Sequence, residues 1–86
     1  MPEVCRFFGI IITMYFNDHP PPHFHVRFQD FRAQINIATL AVLEGDLPPK
    51  ELWLVQYWAR EHQKELLQNW NDLQKTGQFA KIEPLS

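Results

Sequence analysis

The chain has 86 residues, with 8 Lys plus Arg against 10 Asp plus Glu and a net charge of -2; that length leaves room for one domain and not for a second catalytic one. The charge disfavours a module that grips many nucleic-acid phosphates but is compatible with a small local phosphate site. A single cysteine, Cys5, excludes an internal disulfide framework and a Cys-rich zinc site, and the longest apolar stretch, residues 7–16, is too short to span a bilayer.

A reducing compartment suits that cysteine usage, and the N-terminus lacks the order of residues of a signal peptide, so the expected location is the cytoplasm with no membrane contact. In residues 7–16 the even positions Phe8, Ile10, Ile12, Met14 and Phe16 are large and apolar, while the odd ones include Gly9, Thr13 and Tyr15. This alternation predicts a strand with its even residues in the core. The connection Asn17-Asp18-His19-Pro20-Pro21-Pro22 combines Asx-turn formers with three prolines that cannot donate to a sheet ladder, and reads as a stiff loop.

A second strand follows, with Phe24, Val26 and Phe28 on one face and His23, His25 and Arg27 on the other. In residues 31–37 the parity flips, with Phe31, Ala33, Ile35 and Ile37 apolar and Arg32, Gln34 and Asn36 polar. A two-residue turn at Gln29-Asp30 explains the flip, because it sets Val26 against Ala33, Phe24 against Ile35, Arg27 against Arg32, His25 against Gln34 and His23 against Asn36; such turns favour glycine and none is present, so a longer loop is the alternative. The same parity rule places Tyr15 of the first strand opposite His23 or His25. A short fourth strand is expected over residues 40–44, ending at Gly45 and Asp46.

Beyond Pro48 and Pro49 no Gly or Pro occurs until Gly77. Leu52, Val55, Ala59, His62, Leu66, Trp70 and Leu73 recur there at spacings of three or four, with Trp58 and Leu67 widening the stripe, which predicts one long helix over residues 49–75. Ile82 and Leu85 give the tail, residues 78–86, apolar anchors for lying back on the body. The expected architecture is α+β: a three- to four-stranded antiparallel meander over residues 6–44, followed by that helix packed on its apolar face, with residues 1–86 as a single domain.

The even strand face and the helix stripe account for the core, so the chemistry falls on the opposite sheet face. Three of the four histidines lie between residues 19 and 25. Strand period two sets His23, His25 and Arg27 in one row, and the hairpin adds Arg32, Gln34 and Asn36 beside them. Two imidazoles can serve as general acid and base and an arginine as a phosphate clamp, the equipment of a metal-independent ribonuclease, with His23, His25, Arg27 and Tyr15 as catalytic candidates. His19, Arg32, Gln34 and Asn36 are the binding candidates. The plainer alternative is that the histidines brace the proline loop and the arginines are ordinary polar-face residues. No cofactor is called for; if a metal binds, His19, His23 and His25 are its expected ligands, with no obviously convergent carboxylate nearby and Asp18 the only candidate. His62 reads as a boundary residue of the helix stripe. Trp53 and Tyr57 lie off that stripe and suit either a partner or a second core cluster.

The blocks CRFFGIIITMYFNDHPPPHFHVRF, VLEGDLP, LVQYWAREHQKELLQNW and KIEPL together resemble a small bacterial family known as domain of unknown function 4160. The most specific elements are Asn17-Asp18-His19 followed by Pro21-Pro22-His23-Phe24-His25, and the segment from Glu65 to Trp70. The resemblance implies a two-gene arrangement like that of toxin and antitoxin pairs, with a small cognate protein encoded next door as partner. On that footing the expected function is a toxin-like component, with RNA as the first substrate if it is an enzyme. The alternative is a non-catalytic protein-binding module, antitoxin-like or a scaffold, and a His-ligated metal site is third. Where relatives generally carry a glycine-bearing turn, this chain has Gln29-Asp30.

Overall fold

Gly9 divides the first apolar run. In the computed structural model, which describes residues 2–86, Phe8 and Gly9 both take positive φ, 51° and 78°, the backbone of a type I′ hairpin turn. The chain reverses there between β1 (Glu3–Phe7) and β2 (Ile10–Thr13), and Phe7 pairs with Ile10. Phe8 therefore sits on the turn, 61% exposed, and Phe16 lies beyond the end of β2, 60% exposed. Both were expected in the core. The alternation holds for Ile10, Ile12 and Met14, which are fully buried.

β3 (His23–Phe28) and β4 (Phe31–Asn36) pair as the parity flip predicts, from His23 opposite Asn36 to Arg27 opposite Arg32. Gln29, first of the two turn residues, takes φ of 54° without being glycine. β2 meets β3 with Thr13 opposite His25 and Ile11 opposite Arg27, one of the two registers allowed by parity. β5 (Val42–Gly45) pairs with β4 through Ala33 and Gly45, Gln34 and Glu44, and Ile35 and Val42. The sheet is an antiparallel meander in the order β1-β2-β3-β4-β5. It has five strands rather than three or four because the N-terminal residues form a strand of their own.

The expected single helix is two, α1 (Pro49–Glu61) and α2 (Gln63–Lys75), separated at His62 with φ -127° and ψ 23°. No Gly or Pro breaks the sequence; the reason is tertiary. A straight helix over residues 49–75 would run roughly 40 Å at 1.5 Å per residue, longer than the 34 Å greatest extent of the molecule. At the break Gln63 donates to the carbonyls of Ile37 and Ala38, tying the start of α2 to the end of β4. Val55, Trp58, Ala59, Leu66, Trp70 and Leu73 join the inner sheet residues in one core cluster. Leu67, expected to widen the stripe, is exposed, and Asn69 is buried in the helix interior instead. Its side chain donates to Ala80 O and accepts from Ala80 N. The tail thus lies back on the body, with Ile82 N bonded to Val4 O and Trp58 Nε1 donating to Glu83 O. Among the described residues no helix is long and apolar enough to cross a membrane.

Candidate functional site

Strand alternation turns the odd residues of β2 and β3 and the even ones of β4 away from the helices. The registers arrange them in two rows across the sheet. Glu3, Thr13, His25, Gln34 and Glu44 form one; Arg6, Ile11, Arg27 and Arg32 form the other. Together with Tyr15 these residues line an open cleft of about 450 Å³. On its β1 side Arg6 is held by Glu3, Nη2 to Oε1 at 2.7 Å, and that hydrogen bond keeps the Glu3 carboxyl below its usual range. Among the described residues Arg27 and Arg32, opposite one another on adjacent strands, have no such carboxylate partner.

The stiff loop delivers a group that the strand pattern did not rank. Asp18 is held by its own turn, Oδ1 accepting the His19 N–H at 2.8 Å. Its other oxygen, Oδ2, lies 3.0 Å from His25 Nε2 and 3.1 Å from His23 Nε2. Burial pushes the Asp18 carboxyl up. The His25 hydrogen bond, the His19 amide and the two imidazoles outweigh it and hold the group below the ordinary aspartate value. Tyr15 packs edge-on against the His25 ring, centroids 4.4 Å apart. Asp18, His23 and His25 each offer one ligating atom, all within 4.8 Å of one another.

The expected residues do not all reach the cleft. Tyr15, His25, Arg27, Arg32 and Gln34 line it. His23 does not: as first residue of β3 it stands where the sheet ends, and its ring is buried between Trp70 of α2 at 5.3 Å and His25 at 5.0 Å. Its Nδ1 donates to Pro21 O at 2.8 Å, which braces the proline loop. His19 is exposed outside the cleft and reaches Asp18 through its backbone only. Asn36 is consumed locally, its Oδ1 accepting the N–H groups of Ala38 and Thr39. The convergent third group beside His23 and His25 is Asp18 rather than His19, since an Asx-turn former next to a rigid proline run is held facing the strand it precedes.

The family model described as Domain of unknown function (DUF4160) matches residues 9–71. The chain belongs to that family. In this DUF4160 chain the matched region covers β2 to β5, α1 and most of α2, and so includes Asp18, His23, His25, Arg27 and Arg32; Glu3 and Arg6, on β1, fall outside it. No curated protein and no solved structure matches the chain.

Proposed function

We propose that this chain is the toxin-like member of a two-gene system acting in the cytoplasm, and that its cleft grips the phosphodiester backbone of single-stranded RNA. The observation that carries the reading is the cross-strand pair Arg27 and Arg32, set opposite each other with no carboxylate between them, beside His25. Two guanidiniums so placed repel, and an anion bridging them relieves the repulsion while forming charge-assisted hydrogen bonds. A net charge of -2 gives little long-range attraction for a polyanion, so recognition rests on short-range pairs at this one place. Cleavage there needs a group that takes the proton of a ribose 2′-hydroxyl, and His25 is the imidazole that lines the cleft.

Expression of the chain alone is expected to arrest growth, and the Arg27→Ala/Arg32→Ala double variant to relieve the arrest. With purified protein the same variant weakens binding of a short single-stranded RNA more than about tenfold, as loss of two charge-assisted bonds implies. A wild-type chain that neither arrests growth nor binds RNA removes this reading. A non-catalytic partner-binding role then takes its place; it has its own support in the exposed, stacked pair Trp53 and Tyr57, 5.4 Å apart on α1, and a stable complex with the neighbouring gene product would establish it.

A further inference from the structure

The cluster at the mouth of the proline loop contains a contradiction that a bound cation resolves. His23 Nδ1 lies 2.8 Å from the Pro21 carbonyl, an acceptor only, so Nδ1 carries the proton. In the neutral ring that leaves a lone pair on Nε2, and this nitrogen stands 3.1 Å from Asp18 Oδ2, which is also an acceptor. Oδ2 already receives His25 Nε2 at 3.0 Å. Two acceptors facing each other in a site where His23 is buried call for a positive charge between them.

We propose that Asp18 Oδ2, His23 Nε2 and His25 Nε2 bind one divalent transition-metal ion. Three features favour an ion over a lone proton on His23. Ligands about 2.1 Å from a metal stand about 3.0 to 3.4 Å apart at right or tetrahedral angles, close to both distances to Asp18; protons can bridge those two edges, but they do not account for His23 Nε2 and His25 Nε2 converging with Asp18 Oδ2 within 4.8 Å of one another. The Nδ1–H of His23 donates to a backbone carbonyl, the outer contact that typically orients a ligating imidazole and fixes its tautomer. Two imidazoles and one carboxylate are the donor set of zinc, iron, cobalt or nickel rather than of magnesium or calcium, which take oxygen. The scaffold is built for it: His23 and His25 sit two apart on one strand, and Asp18 is anchored by the His19 amide on a loop stiffened by three prolines. The side chains of Asp18 and His25 keep about a fifth of their surface open, which leaves a side of the ion accessible to water or ligand.

The inference rests on the proposed RNA-binding reading in its use of the shared residue His25: with Nε2 on an ion the neutral ring keeps no lone pair for a ribose proton, so in the loaded chain a water on the ion would take that role while Arg27 and Arg32 grip the phosphate. Its test needs no RNA. Chelator-treated full-length chain is titrated with Co2+ alone and with Zn2+ alone, followed by cobalt absorption and by calorimetry. One ion per chain is expected, with Asp18→Asn and His25→Gln each weakening binding more than about tenfold. His62→Gln, at the separate His62 and Glu65 pair, leaves binding unchanged, and so does Arg27→Ala/Arg32→Ala. Absence of a saturable cobalt spectrum in the wild-type chain overturns the proposal whatever the variants do, as does equal affinity in a folded Asp18→Asn chain. The readings fail separately, because loss of RNA binding on arginine substitution with no metal uptake leaves the RNA reading standing and the metal site refuted.

Discussion

Cys5 and Asp18 show how differently the fold treats two titratable side chains. Burial pushes the Cys5 thiol up to about 11 from 9.0, since a thiolate on β1 would face the core. The proton is therefore bound more tightly in the folded chain than in the unfolded one. This contribution to stability is complete below about pH 9 and is lost as pH rises from 9 towards 11. Thiol alkylation measured against pH should show a midpoint near 11 in the native chain and near 9 in denaturant; rapid labelling of the native chain at pH 8 would contradict it. Asp18 goes the other way, its charged form favoured by neighbours that outweigh burial. Its position next to His25 is only partly legible: Asp18 is the one candidate carboxylate near the histidines in sequence, but period-two reasoning assigns faces to strand residues and has no rule that aims a loop side chain. His23 was assigned to the polar face by the same parity, and the strand pairing agrees. Its burial follows from Trp70, which is distant in sequence and packs on it past the end of β3.

Elements were readable wherever one geometric solution met a pattern most simply. The parity flip between residues 24–28 and 31–37 is met most simply by a two-residue turn, although without a glycine at Gln29-Asp30 a longer even loop also fits the pattern; the structure has the two-residue turn, with all six pairs of β3 and β4 in that register. The N-terminal hairpin was not read, because apolar residues on both sides of Gly9 preserve the alternation across the turn, leaving that glycine as the sole signal. The helix break at His62 leaves no local mark at all, since its causes are the length of the sheet and the two carbonyls that Gln63 reaches. β5 depends on a glycine in a stricter sense. Gly45 has φ of 79°, and a Cβ there would stand 2.1 Å from the Arg32 carbonyl oxygen, the same oxygen that accepts Asp46 N. Gly45→Ala combines the left-handed penalty of about 1–2 kcal/mol with a backbone clash that only displacement of β5 relieves. A loss of at least 2 kcal/mol, or roughly 10 °C in melting temperature for a domain of this size, is expected in thermal denaturation. A melting temperature within about 2 °C of wild type would show that β5 does not hold this pairing in solution.

The two layers are closed at one end by the tail, and one polar residue, Asn69, supplies two of the four hydrogen bonds that hold it among the described residues. Asn69 is buried on α2 and returns both hydrogen bonds to the backbone of Ala80, while Ile82 and Glu83 attach further along to Val4 and Trp58. Asn69→Ala leaves the Ala80 N–H and carbonyl without that partner, at a cost of about 1–3 kcal/mol. Limited proteolysis should then cut within residues 78–86 ahead of the rest of the chain, and equal resistance of the variant and the wild type would remove Asn69 from this role.

Charge has to be argued over the whole molecule, because the arginines that face the cleft belong to a chain whose net charge is -2. A protein that bound RNA through a diffuse basic surface would release many counterions and lose affinity steeply with salt. Here Arg6 is already paired with Glu3, which leaves Arg27 and Arg32 to neutralise phosphates in the cleft. For single strands the slope of log affinity against log salt is about -0.7 per phosphate neutralised, so two contacts give about -1.4. Fluorescence-anisotropy titrations of a short RNA between 50 and 300 mM salt would measure it, and Arg27→Ala/Arg32→Ala should flatten the line towards zero. A slope steeper than about -3, retained in the double variant, would place the RNA on the lysines and arginines of the helices and empty the cleft of its proposed role.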